Sequence, residues 1–502
     1  MNAKRIGGWA AAAVLSAASF AGAAVSDARL ADAAKQSDRA AIRALIEKRA
    51  GVNAPQVDGT TALHWAAHQD DLETAELLIH AGANVKAVNR YGVTPLSLAC
   101  TNGNAALVEL LLKAGADPNT ALPGGETALM TAARTGNETA VKALLSHGAD
   151  INAKESRRQQ TALMWAASEG HAGVVEALIG AGADFRVRLQ SGFTPLLFAA
   201  REGRIGVVRG LLKAGADVNE TIQTERNSVT KLASGAGAPR NGTSALVLAV
   251  ANAHFELAAI LLDAGADPNA SLTGYTALHA ITSVRKPGLG DNDPAPQGSG
   301  NMTSLQIVRK LASRDANLNA RMTRRVSFGL TGLNTLGATP FMLAAKNADA
   351  ELMRLLAELG ADPLLANEEG STPLMAAAGL GTRSPGEDAG TETEVLEALQ
   401  AALDLGADLN AVNKNGETAM HGAAYKNSPR AVEFLAAKGA NIEVWNRKNK
   451  FGWTPLTIAE GHRFGNFKPS PVTVAAFHRV MKAAGVSPPE TLAGPAAPVV
   501  PD

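Results

Sequence analysis

Apolar and polar positions recur along most of this chain in one fixed phase. Thr61 to Ala67 reads TALHWAA, Thr94 to Cys100 TPLSLAC, Thr127 to Ala133 TALMTAA, Thr161 to Ala167 TALMWAA and Thr194 to Ala200 TPLLFAA, at spacings of 33, 33, 34 and 33 residues. Further copies start at Ser244 (SALVLAV), Thr276 (TALHAIT), Thr339 (TPFMLAA), Thr372 (TPLMAAA), Thr418 (TAMHGAA) and Thr454 (TPLTIAE). About twenty residues after most of them stands Gly-Ala-Asp or Gly-Ala-Asn, at Gly82, Gly115, Gly148, Gly182, Gly215, Gly265, Gly360, Gly406 and Gly439. Two independent markers that keep one phase define a repeat.

Each marker has a physical meaning. Thr before Pro or Ala predicts a helix start, because the hydroxyl accepts from an otherwise orphaned amide and Pro95 or Pro195 has no amide to waste. The Ala-Ala pair, as at Ala66 and Ala67, leaves that first helix without bulk, so that neighbours can approach closely. Leu107, Leu110, Leu111 and Leu112 then lie at helical spacing before Gly115, and Gly ends helices in the left-handed conformation. Asp117 to Gly125 carries Pro, Asn and Gly where a turn uses them. Each copy is therefore predicted to be helix, turn, helix and extended turn.

Composition narrows what such an array can do. The 502 residues are 46% hydrophobic but only 4% aromatic, and 47 basic side chains balance 47 acidic ones. Zero net charge argues against a general nucleic-acid binder, which needs a basic excess for phosphate contacts. The lone Cys100 forms no internal disulfide, and no Cys/His cluster is spaced for structural zinc. At the amino terminus, Lys4 and Arg5 precede an uncharged Ala-rich run from Ile6 to Phe20, and Ala21-Gly22-Ala23 offers small residues for cleavage. This pattern predicts a secretory signal peptide over residues 1–23 and a mature chain that is periplasmic or secreted, with no membrane span after cleavage.

With G-x-T-P-L-x-x-A-A, paired leucines and G-A-D-x-N at a period near 33, the chain resembles the ankyrin-repeat family. The resemblance implies an all-α ankyrin-repeat solenoid of about twelve helix pairs with extended β-turn fingers: a capping pair over 24–58 and eleven copies over 59–484. The Pro-rich residues 485–502 are expected to be a disordered tail. Departures from the pattern are local. Glu220 to Arg240 and Arg321 to Leu336 lengthen two fingers, whereas Val284 to Thr303 and Gly381 to Gly390 fall between the two helices of a copy and are expected to decorate the edge away from the groove. Arg314-Asp315-Ala316-Asn317 replaces one Gly-Ala-Asp and obscures where that helix ends.

The chain offers little catalytic chemistry. There is no Gly-Lys-Ser/Thr phosphate loop, no H-E-x-x-H and no G-x-S-x-G. Asp291-Asn292-Asp293 begins like a calcium loop, but Pro294, Ala295 and Pro296 break its spacing. His64 and His68 lie four apart but lack a third ligand. Accordingly no cofactor, metal or catalytic residue is assigned. A solenoid instead displays residues on a face whose shape does not depend on them. In the family the resemblance places display positions at the finger tip, after the repeat's Gly and after Ala-Ala. Here the first two hold Arg90, Tyr91, Val93, Arg157, Arg158, Phe193, Tyr275, Arg321, Arg324, Arg325, Phe328, Trp445 and Trp453, and the third holds His68, Gln69, Arg134, Arg201 and Lys346. Arg and aromatic residues dominate interface energies. The reading is a monomeric, nonenzymatic protein-binding scaffold. The alternatives are a regulatory or protective subunit of an envelope enzyme and, further off, a hydrolase built on the inserted loops.

Overall fold

The computed structural model describes residues 27–224, 241–288, 296–326, 332–386, 388–463 and 469–488. The signal segment, Phe328 and most of the Pro-rich tail lie outside these residues. Among the described residues there are 25 helices, which form twelve pairs plus the short helix Ile442–Trp445. There is no sheet among them; Thr221 and Ser244 form an isolated bridge. No described helix is long and apolar enough to cross a membrane. The chain divides into two compact units, Met1–Pro123 and Gly124–Asp502.

The first unit holds three pairs, opened by Arg29–Lys35 and Arg39–Glu47, which bury Leu30, Ala31, Ala34 and Ile42. The next two pairs, Ala62–His68 with Leu72–His80 and Pro95–Asn102 with Ala105–Lys113, show how the repeat folds. Thr94 sits in extended backbone and its hydroxyl accepts from the Ser97 amide at 3.1 Å, while Pro95 takes the first helical position. Ala66 and Ala67 are fully buried, as the close approach of first helices requires. In the second helix Leu107, Val108, Leu111 and Leu112 form the buried stripe, and Leu110 is only half-buried. Val108 thus takes the place the sequence pattern assigns to Leu110. Gly115 ends that helix at φ 93° and lets the Ala116 amide bond back to the Leu111 carbonyl at 2.9 Å.

The second unit repeats this architecture through nine pairs. The altered marker resolves cleanly: Asp315 itself adopts φ 61°, and the Ala316 amide reaches the Leu311 carbonyl at 3.1 Å. Asp is among the few non-glycine residues that tolerate the left-handed region, so the helix ends where a glycine would have ended it. The described end of the insertion after Arg285, from residue 296 on, meets the edge made by the turns between helices. There Ser299 contacts His254 through its hydroxyl at 2.9 Å, and the Asn301 amide meets Glu256 at 3.3 Å.

A candidate protein-binding face

The fingers owe their shape to one side chain. Asn89 accepts at 3.0 Å from both the Tyr91 and Val93 amides, which folds the tip and throws Arg90 and Tyr91 outward. Asn367, Asn413 and Asn449 repeat this five residues before Thr372, Thr418 and Thr454. Each also passes an amide hydrogen across to the preceding finger, for example Asn413 to the Ser371 hydroxyl at 3.0 Å. Glu155 replaces the Asn in one copy. Burial works against its charge, but the amides of Gln160, Arg157 and Arg158 more than offset this and hold its carboxyl below the usual range. The residue that builds the tip was not among the sequence candidates, although its fixed distance from Thr is visible in the sequence.

The fingers are also tied to the helices. His64 takes the Thr61 amide on Nδ1 at 3.2 Å and reaches the Val93 carbonyl with Nε2 at 3.0 Å, which leaves it no role as a metal ligand. His279 does the same with Thr276 and with Ala338, at the base of the lengthened finger. Burial pushes His279 and His421 down to about 4 and lowers His64 as well. Burial likewise pushes the Cys100 thiol up to about 12, away from nucleophilic use.

The predicted display residues divide into three groups. Arg90, Tyr91, Arg157, Arg158, Arg324 and Arg325 are exposed, and Val93 and Trp453 are half-buried. Tyr91 is 56% exposed, with the Arg90 guanidinium 4.9 Å from its ring centre. Three assignments are corrected: Phe193, Tyr275 and Trp445 are only 5%, 7% and 2% exposed. Phe193 packs 5.0 Å from Phe198, beneath the Arg201 guanidinium. The lengthened finger closes over the tip before Tyr275, with the Thr323 amide on the Gly274 carbonyl at 3.0 Å and Arg324 against Gly274. Trp445 ends the short extra helix and packs 5.9 Å from Phe477. A third group is bonded or stacked within the chain, although Arg321, Arg134 and His68 stay exposed. Arg321 donates to the Gly337 and Ala366 carbonyls and so braces two fingers. Gln69 donates to the Lys35 carbonyl, and Lys346 lies buried 3.9 Å from Asp388. Arg134 lies over Trp165 at 5.3 Å, and His68 stands edge-on to Trp65 at 5.8 Å. Trp65 and Trp165 on first helices and Phe451 at a finger tip, none of them chosen from the sequence, add half-buried or exposed aromatic surface.

The lengthened finger also changes the face itself. The Gly332 amide donates to the Gly381 carbonyl at 2.6 Å, so the finger meets the start of the inserted loop on the opposite edge. That loop was expected to point away from the groove, and its first residues do the reverse. The cause is local: helix Pro373–Ala378 stops early at Gly379, which has φ 105°, and the chain turns toward the finger. A Cβ on Gly381 would overlap the Leu333 amide. Under this clasp lies a pocket of about 490 Å³ lined by Leu333, Glu369, Leu380, Arg383, Glu417 and Phe451, among others.

Comparison with known proteins agrees with the geometry. The family model for ankyrin repeats in three copies matches residues 30–122, 88–155, 129–222 and 389–466, and the single-repeat model matches 241–271 and 336–368. The chain is similar to neurogenic locus notch homolog protein 1 of Xenopus tropicalis, at 31% identity over 144 residues, covering 24% of this chain and 6% of that protein. It is similar also to the mitochondrial disaggregase of Bos taurus, at 32% identity over 135 residues, covering 27% of this chain and 16% of that protein. The chain thus spans less than a fifth of either relative's length. Together these matches cover well over half of the chain, whose helices are paired in every repeat, and the chain belongs to the ankyrin-repeat family.

Proposed function

We propose that this chain is a nonenzymatic protein-binding scaffold that works outside the cytoplasm, in the periplasm or as a secreted protein, and that partners engage the face between the finger tips and the first helices. The observation that carries the reading is the set of cationic and aromatic side chains held outward on tips, Arg90 with Tyr91 and Lys450 with Phe451. A tip folded by Asn side chains loses little entropy on binding, and Arg and aromatic residues are those that concentrate interface energy. Export is supported by Lys4, Arg5 and the Ala-rich run to Ala23. The test is site-specific photo-cross-linking in an envelope extract, with the probe at Tyr91 or Phe451 and, as control, at Lys113 on a second helix. Capture of discrete partners from the tips and not from Lys113 is the expected result; capture from Lys113 alone would overturn the reading. A single stoichiometric partner would mark a dedicated subunit instead of a general scaffold.

A further inference from the structure

The pocket beneath the clasp is chemically lopsided once its internal bonds are counted. Glu417 is buried and satisfied: it accepts from the Tyr425 hydroxyl at 3.0 Å, from Asn449 at 3.2 Å and from Asn413 at 3.3 Å. Lys450 donates to Asn415 at 2.6 Å, and the same Asn415 amide donates to Glu369 at 3.4 Å, so the cation and the anion of the finger rim are both tied to one side chain. The Thr382 hydroxyl donates to Asp388. Glu417 keeps its charge, but its oxygens already accept three hydrogen bonds; the group left with unused hydrogen-bonding capacity is Arg383, on the opposite rim, exposed and with no ion pair or acceptor among the described residues. Its stem lies over Gly332, where a Cβ would come 3.3 Å from Nε and 3.7 Å from Cγ, so packing against the clasp holds the guanidinium at the pocket mouth. Leu333, Leu380 and Phe451 supply apolar wall beside it, Phe451 being 41% exposed.

Resting on the scaffold reading above, we infer that this pocket receives an acidic side chain together with a neighbouring apolar one from an extended segment of a partner protein. A planar guanidinium with unused donors matches a carboxylate in two-point geometry, which an ammonium or amide cannot copy. The volume, about 490 Å³, falls in the range of small-ligand pockets and exceeds what one side chain fills. The Gly332 to Gly381 bond crosses the face, so a partner enters this stretch as a knob and does not run straight through it. The regular fingers have no such crossing bond among the described residues and leave the choice of partner to their tips.

The test uses the full chain and three fluorescein-labelled peptides, acetylated and amidated, of sequence Ser-Gly-Phe-Xaa-Leu-Gly-Ser with Glu, Gln or Lys at Xaa, read by fluorescence anisotropy. The Glu peptide is expected to bind about tenfold or more tightly than the other two, as a charge-assisted pair in a partly dry site allows. Arg383→Gln should erase that preference without shifting the thermal transition, since its side chain is exposed. Equal binding of all three, preference for Lys, retention of the Glu preference in Arg383→Gln, or no binding of the Glu peptide at millimolar concentration would each overturn the inference. Cross-linking through Tyr91, in the other compact unit, reads the scaffold function separately. Capture there with no acid preference here fails the pocket alone, and failure of both removes the scaffold reading.

Discussion

The finger at Asn89–Thr94 and the lengthened finger at Arg321–Leu336 begin from the same plan and end as different objects. In the first, one Asn side chain folds the tip, His64 ties its base to the helices, and Arg90 and Tyr91 are left to solvent. In the second, His279 still ties the base, through Ala338, but the added residues are used inward: Arg321 braces carbonyls of two fingers, Arg324 packs on Gly274, and Gly332 clasps Gly381. An inserted finger in a solenoid therefore does more than extend a binding edge. It can spend its cations on its neighbours and convert an open face into a pocket.

The largest effect that would break this contrast is expected at Gly381. Gly381→Val combines strain at φ 83° with overlap on the Leu333 amide, so it should open the clasp at a local cost of about 2–4 kcal/mol. The matching change Gly416→Val, at a regular tip with φ 75° and no neighbouring atom nearer than 3.4 Å, should cost only backbone strain of about 1–2 kcal/mol. Hydrogen exchange at residues 332–336 and at residues 413–417 reads the two sites; equal losses of protection would show that the clasp adds nothing.

Acid should act next. The folded protein keeps His279 neutral with a pKa near 4, whereas the unfolded chain takes up its proton near 6.5. The unfolded state therefore binds more protons, and stability present above pH 6.5 is lost as pH falls toward 4. By pH 5 the loss at His279 should be on the order of 2 kcal/mol. His64, bonded in the same way, is also lowered by burial. Urea unfolding between pH 7 and 5 in the parent chain and in His279→Gln checks the sign: the variant should lose part of the slope, and an unchanged slope would remove His279 as its source.

The smallest effect concerns the marker that precedes the lengthened finger. Asp315 occupies a left-handed position that glycine fills at Gly115, so Asp315→Gly should stabilise by about 0.5–1 kcal/mol. A lowered melting temperature would mean that the Asp315 side chain makes a compensating contact.

Much of the fold was legible before any coordinates. Thr94, Pro95, the Ala66-Ala67 pair and Gly115 act through their nearest neighbours in sequence, by capping, by fixing φ, by leaving room or by tolerating positive φ, and such signals survive in a linear string. The exposure of the tips was legible for the same reason, since Arg90, Tyr91, Arg157 and Arg158 occupy tip positions set by the repeat phase. Asn89 was legible too, at its constant distance from Thr94, but only bond geometry shows why it matters.

Tertiary structure decided what depends on residues far apart in the chain. Whether an aromatic at a tip is displayed or buried is not set by its place in the repeat: Tyr91 stays open, whereas Tyr275 is buried beside Gly274, over which Arg324 and Thr323 close. Trp445 is buried by Phe477, more than thirty residues on. The pocket at Arg383 exists because two insertions about fifty residues apart bond through Gly332 and Gly381, an approach that no periodicity encodes. Local backbone preference makes the helices, turns and tips of this protein; packing between insertions determines where its face is closed and which donor is left unpaired.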